Sequence, residues 1–197
     1  MGQGQIVQSI VVAIVTAFAS LIIHLFVNAR TIFYNRKDFY IKDIATRLEK
    51  SEGILGDVND SMDDISDLLT DIELLQEDQS AGRDTSTAFI ARYDFSYYSN
   101  LSSSNLSIYR NSEKIRQAVA ELRQAVRTGR TAIAEYNSSK TPADDLAYVS
   151  RTVVDIQSKT VDLKQVLLEA HEQMRADHLD LEKRSFRIFG GNDVHSF

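Results

Sequence analysis

The chain contains no cysteine and no tryptophan, one proline, and 8 glycines in 197 residues. Lacking cysteine, it has no disulfide framework, no thiolate nucleophile and no Cys-ligated zinc or iron–sulfur cluster. So few chain breakers leave long helices uninterrupted, and ordered, mostly helical structure is expected. Net charge is −6, with no strongly basic run. The electrostatic footprint of a phosphate-backbone binder is therefore missing, and nucleic acid is set aside as a partner. Also missing are a Gly-rich phosphate loop, a Gly-x-Ser-x-Gly elbow and a dinucleotide fingerprint. No catalytic residue, cofactor, metal or small-molecule substrate is indicated, and the chain reads as a non-enzyme.

What is present starts with Ile6 to Val27, 22 residues without Asp, Glu, Lys or Arg. As a helix this run spans roughly 33 Å at about 1.5 Å per residue, close to a bilayer hydrocarbon core of about 30 Å. It reads as a transmembrane anchor (residues 1–29), with the lipid bilayer as its first partner. Ala17-Phe18-Ala19 fits a signal-cleavage pattern, but no basic segment precedes the run and Leu21-Ile22-Ile23 extends it, which favours a retained anchor. Met1 to Gln5 carries no Lys or Arg, whereas Arg30, Arg36 and Lys37 follow the run. By the positive-inside rule the N-terminus lies outside and the rest of the chain in the cytoplasm.

Inside the anchor Ser9, Ala13, Thr16, Ala17, Ser20 and His24 recur at steps of three and four. They share one side of a helix, where small residues allow close backbone approach and hydroxyls can bond across a contact, so this side is a candidate self-association face. His24 is the only ionisable side chain in the run and sits near its cytoplasmic end, within reach of the interface. Residues 30–50 form a basic and aromatic juxtamembrane helix. Arg30, Phe33, Tyr34, Arg36 and Lys37 are its expected membrane-interface residues, suited to an anionic leaflet and to the headgroup layer.

A heptad-like repeat follows. Ile41, Ile44, Leu48, Ser51, Leu55, Val58, Met62, Ile65, Leu69 and Ile72 alternate steps of three and four, and Leu68 and Leu75 widen the stripe toward a bundle face. Gly53 and Gly56 invite a local bend. Between Ser51 and Ser80 the only charges are acidic, while Arg110 to Glu135 carries a basic excess through Arg110, Lys114, Arg116, Arg123, Arg127 and Arg130. Opposite signs on the flanks predict that these two helices face each other.

Ser80-Ala81-Gly82-Arg83 reads as a turn. A second helix over about 85–137 carries Ile115, Val119, Leu122, Val126 and Ile133 at core spacing, with the polar stretch Ser99 to Asn105 read as a loop or kink within it. A third helix over about 142–185 opens on Thr141 as cap, Pro142 at the first helical position, and Asp144 and Asp145 at the positive end of the dipole. Its core positions are Leu146, Val149, Val153, Ile156, Leu163 and Leu167. Residues 186–197 are an aromatic-bearing tail. His171, His178 and Glu182 fall along one face, and a solvated coiled-coil flank explains them better than a metal site, because the Glu-x-x-His and His-Glu-x-x-His spacings are absent.

The expected fold is all-α: one N-terminal transmembrane helix continuing into an elongated antiparallel three- or four-helix coiled-coil-like bundle over 41–185, with the first bundle helix at about 31–79. The expected function is a membrane-anchored interaction or scaffold protein at the cytoplasmic face, forming a homo-oligomer or docking another membrane or helical protein. The alternative is a membrane effector or channel component whose anchors oligomerise. Vesicle leakage separates the two.

Overall fold

The computed structural model describes residues 3–83, 90, 105–109, 112–138 and 142–185. Among them there is no strand, and three α-helices carry almost everything: α1 (Gln3–Ser80), α2 (Glu113–Ser138) and α3 (Pro142–Lys183). A 3-10 turn, Asn105–Tyr109, precedes α2.

Helix α1 runs without interruption from the apolar stretch through the heptad stretch. No bend of the hydrogen-bonding pattern appears at Gly53 or Gly56. Both glycines face open space, with nothing within 4 Å of where a Cβ would lie, so each costs the helix only its propensity, about 1 kcal/mol relative to Ala. The helix stops where the sequence indicated a turn. Gly82 adopts φ 70°, Arg83 N donates to Asp78 O at 2.9 Å and Gly82 N to Gln79 O at 3.1 Å. These two bonds form a Schellman termination, which needs a left-handed residue that glycine supplies without a Cβ penalty.

The expected helix from 85 to 137 is shorter than the periodicity implied. Residues 105–109 form a 3-10 turn and α2 starts only at Glu113. The cause is local: the Ser112 carbonyl accepts from Arg116 N at 3.1 Å, making Ser112 the cap, with Glu113 next in the first turn. Of the stretch 84–104 only Ile90 is described; it is buried and lies outside any helix. Helix α3 opens at Pro142 as anticipated and ends at Lys183, two residues early. Thr141 and the tail 186–197 lie outside the described residues.

Two compact units emerge, Thr46–Arg175 and Met1–Ala45 with Ala176–Phe197. In the first, α1 buries Ser51, Val58, Ser61, Ile65, Leu68 and Ile72, while Leu48, Leu55, Met62 and Leu69 are half-buried. The seam is thus turned from the expected one: its centre passes through Ser61 and Leu68 and not through Met62 and Leu69. Three faces per heptad are occupied, the width of a helix packed against more than one neighbour. Ser61 can sit there because its hydroxyl donates to Asp57 O at 2.9 Å, so no polar group is stranded.

The expected core of α2 is buried as expected, at Ile115, Val119, Leu122, Val126 and Ile133, joined by Ala125, Gly129, Ala132 and Tyr136. In α3, Leu146, Val149, Val153, Ile156, Leu163 and Leu167 are sealed, together with Thr152 and Thr160, whose hydroxyls return to Val149 O and Ile156 O. Helices α2 and α3 come close at Gly129, where a Cβ would stand 2.5 Å from Ile156 Cδ1. A Cβ at that position would require the Ile156 terminal methyl to shift.

The second unit has a smaller core. Phe33 and Ile44 are buried in α1, and Lys37 Nζ donates to Glu182 O at 2.7 Å and to Arg184 O at 2.8 Å. A cation on the last carbonyls of α3 satisfies orphan acceptors and complements the negative end of its dipole.

Candidate functional site

Two places carry the functional argument, one in each unit. The first is the apolar stretch of α1. Its 18-residue window has mean hydropathy 2.7, with none of it buried. A soluble-core helix of that composition would be sealed by protein, so the helix is long and apolar enough to span a membrane and carries that surface on its outside. Ser9, Ala13, Thr16, Ala17, Ser20 and His24 are all exposed on it. The Thr16 hydroxyl donates to Val12 O at 2.8 Å and Thr31 to Val27 O at 2.8 Å, so both are satisfied within their own helix.

The five expected interface residues do not share one environment. Arg30 is exposed and lies 5.7 Å from the centroid of the Tyr34 ring, a cation–π contact that leaves the guanidinium accessible. Arg36 is exposed. Phe33, by contrast, is buried within the protein, with its ring edge-on to Tyr34 at 5.4 Å, and Lys37 is spent on the end of α3. Spacing placed all five at one level of the helix. Burial divides them by face.

The second place is a polar layer in the unit Thr46–Arg175. Ser51, fully buried in α1, has its Oγ 2.9 Å from the Tyr109 hydroxyl and 3.1 Å from His171 Nδ1. One turn away, Arg47 donates from Nε and Nη2 to Ile108 O, the Nε bond being 2.7 Å. Three segments, α1, the 3-10 turn and α3, are thereby joined by polar side chains. A relay in which Tyr109 donates to Ser51 and Ser51 donates to His171 satisfies all three groups. Burial pushes the Tyr109 hydroxyl above its ordinary range, and the Ser51 bond offsets part of that. Ser51 is fully buried, and the layer joins its three segments as a buried hydrogen-bond network.

Helix α2 holds a contrasting group. Tyr136 is 3% exposed and its hydroxyl has no hydrogen-bond partner among the described residues; burial raises its pKa as well. Asn137 beside it is fully used, accepting from Ile90 N and donating to Ile90 O, both at 3.1 Å.

The expected charge complementarity of α1 and α2 is not carried by ion pairs of the α1 acids. Among the described residues the acidic side chains from Asp57 to Glu77 form no ion pair. One bridge between helices joins Glu121 of α2 to Lys159 of α3 at 2.9 Å. The hydrogen bond from Lys159, with a second from Gln117, lowers the Glu121 pKa, and the same bond raises that of Lys159. His171 and His178 take different partners, Ser51 and, at 3.9 Å, Glu182, and no group of metal-holding side chains occurs among the described residues.

The polar layer was invisible in the sequence because its members stand at positions 51, 109 and 171 and only folding brings them together. One signal pointed to it: Ser51 is a polar residue on an otherwise apolar stripe. No protein-family model, curated protein or solved structure matches the chain.

Proposed function

We propose that the chain is a membrane-anchored helical scaffold. Its N-terminal helix holds it in the bilayer with the N-terminus outside, and residues 41–185 form an elongated antiparallel coiled-coil-like bundle at the cytoplasmic face that assembles with itself or docks a helical partner. The observation that carries this reading is the contrast within α1. An 18-residue window of mean hydropathy 2.7 has none of its surface buried, and the same helix continues into a stripe sealed at Val58, Ile65, Leu68 and Ile72. Apolar surface left outside asks for lipid or a partner. The mechanism is positional: the anchor fixes location, and the heptad faces fix what is held there.

Carbonate extraction of membranes expressing the full chain tests the anchor, with the protein expected to stay in the pellet. Protease protection of tags at each end tests orientation, with the C-terminal tag expected to be digested from the cytoplasmic side. Recovery in the carbonate supernatant would overturn the anchor, and protection of the C-terminal tag would reverse the orientation.

A further inference from the structure

The stretch of α1 that follows the span has a second apolar line, separate from the one that packs inward. Leu25, Ile32 and Phe39 recur every seven residues and are 62%, 53% and 67% exposed. Asn28 and Asn35 stand between them, also exposed, so the line runs 25, 28, 32, 35, 39 in the three–four alternation of a two-helix seam. It lies roughly a third of a turn from the buried face that carries Phe33, Lys37 and Ile44. Neither asparagine side chain has a hydrogen bond among the described residues.

Position along the helix makes this line informative. Ile32 and Phe39 fall about 8 Å and about 18 Å beyond Val27 at about 1.5 Å per residue, while the headgroup layer adds only about 5–8 Å on each side of the hydrocarbon. On an upright helix Phe39 stands in water beyond the headgroups, where an open phenyl ring gains from being covered. Lipid does not reach it.

We propose that the seam Leu25, Asn28, Ile32, Asn35 and Phe39 is covered by the same seam of a second copy, in parallel. This rests on the membrane-anchored reading, because two anchors inserted in one orientation can meet only in parallel. Asparagine is suited to facing itself across a twofold axis: its amide both donates and accepts, so Asn28 pairs with Asn28 and Asn35 with Asn35, while a slip of one heptad would set Asn35 against Lys42 and displace one anchor by about 10 Å through the bilayer. The line also ends where such a contact should. Its next two positions are Lys42 and Thr46, and the flanking Asp38 and Asp43 would meet with like charge. The contact is thereby assigned to a face beside the small-residue side, which continues past the span into the polar residues Thr31 and Asp38.

A chain without cysteine allows a direct test. Single variants Ile32→Cys, Phe39→Cys, Thr31→Cys and Asp38→Cys of the full chain are oxidised in native membranes after carbonate extraction has established insertion. Disulfide-linked dimer is expected at Ile32→Cys and Phe39→Cys at least several-fold above the other two. Adding Asn28→Ala and Asn35→Ala to Ile32→Cys should cut its yield several-fold while helical circular dichroism is unchanged. Cross-linking at Thr31→Cys and Asp38→Cys instead would overturn the seam and leave self-assembly standing through the small-residue side. Absence of dimer at all four positions, with a monomer mass in detergent, would overturn the seam and self-assembly together. Failure to insert would remove the anchor on which both depend.

Discussion

The two stretches of α1 on either side of residues 30–50 are equally helical and both carry Ile, Leu and Val, yet they treat those side chains in opposite ways. Before Arg30 none of the 18-residue apolar window is buried. From Ser51 to Ile72 the sealed residues are Ser51, Val58, Ser61, Ile65, Leu68 and Ile72, at steps of three, four or seven, with seven exposed acids between them. The difference lies in what separates the apolar residues. Charges at regular spacing leave one stripe for a protein core, whereas their absence leaves a cylinder that only lipid can surround. Apolar content therefore says that surface must be covered, and charge periodicity says by what.

The largest effect should come from making the first stretch resemble the second. Ile14→Asp combined with Leu21→Lys adds about 2.5–3.5 kcal/mol of insertion cost per charge near the helix centre, and the chain is expected to move from the carbonate pellet to the supernatant. Next is the register of the second stretch. Leu68→Ala, at a sealed position, should cost about 2–5 kcal/mol, and Leu69→Ala, at a half-buried one, about half of that or less, read by thermal denaturation in detergent. Equal losses would contradict the turned seam.

Smaller effects separate the satisfied and orphaned tyrosines. Tyr109→Phe removes a hydrogen bond from the Ser51 layer and should destabilise by about 1 kcal/mol, while Tyr136→Phe removes a hydroxyl that has no partner among the described residues and should be neutral or stabilising by about 1 kcal/mol. Both phenols have folded pKa values raised above the ordinary one near 10. Their contribution is thus fully present below that pH and is lost as pH rises toward the folded values. Stability should fall on that alkaline limb, and less steeply in Tyr136→Phe; an unchanged slope in that variant would remove Tyr136 as a source. Smallest for a single site is the gain at open glycines. Gly53→Ala and Gly56→Ala should each add up to about 1 kcal/mol, and a loss at either would show that α1 needs freedom there.

The features legible in the sequence were those decided by neighbours along the chain. Pro142 at the start of α3 and Gly82 at the end of α1 act through backbone geometry that any reader of capping chemistry can apply. The apolar faces of α2 and α3 were equally plain, because Ile115, Val119 and Leu122, or Val149, Val153 and Ile156, have no competing register. The seam of α1 was misplaced by one position because Leu69 and Met62 outweigh Ser61 in apolar content, although the Ser61 hydroxyl is silenced by Asp57 O. Buried threonines in α3 hide for the same reason. The Ser51, Tyr109 and His171 layer, the use of Lys37 on the end of α3, and the close approach at Gly129 depend on residues far apart in the chain, and no local pattern announces them.

Gly129 has a meaning beyond close approach. Every other buried position of α2, from Ile115 to Tyr136, carries a Cβ, and at the height of Ile156 even a single Cβ would come within 2.5 Å of Ile156 Cδ1. Sliding the helix along its neighbour by a turn or by a heptad would set one of those side chains there and force Ile156 out of its seat. The pair behaves as a keyed joint, in which one missing atom favours a single alignment, and it adds to the Glu121–Lys159 bridge between the same two helices.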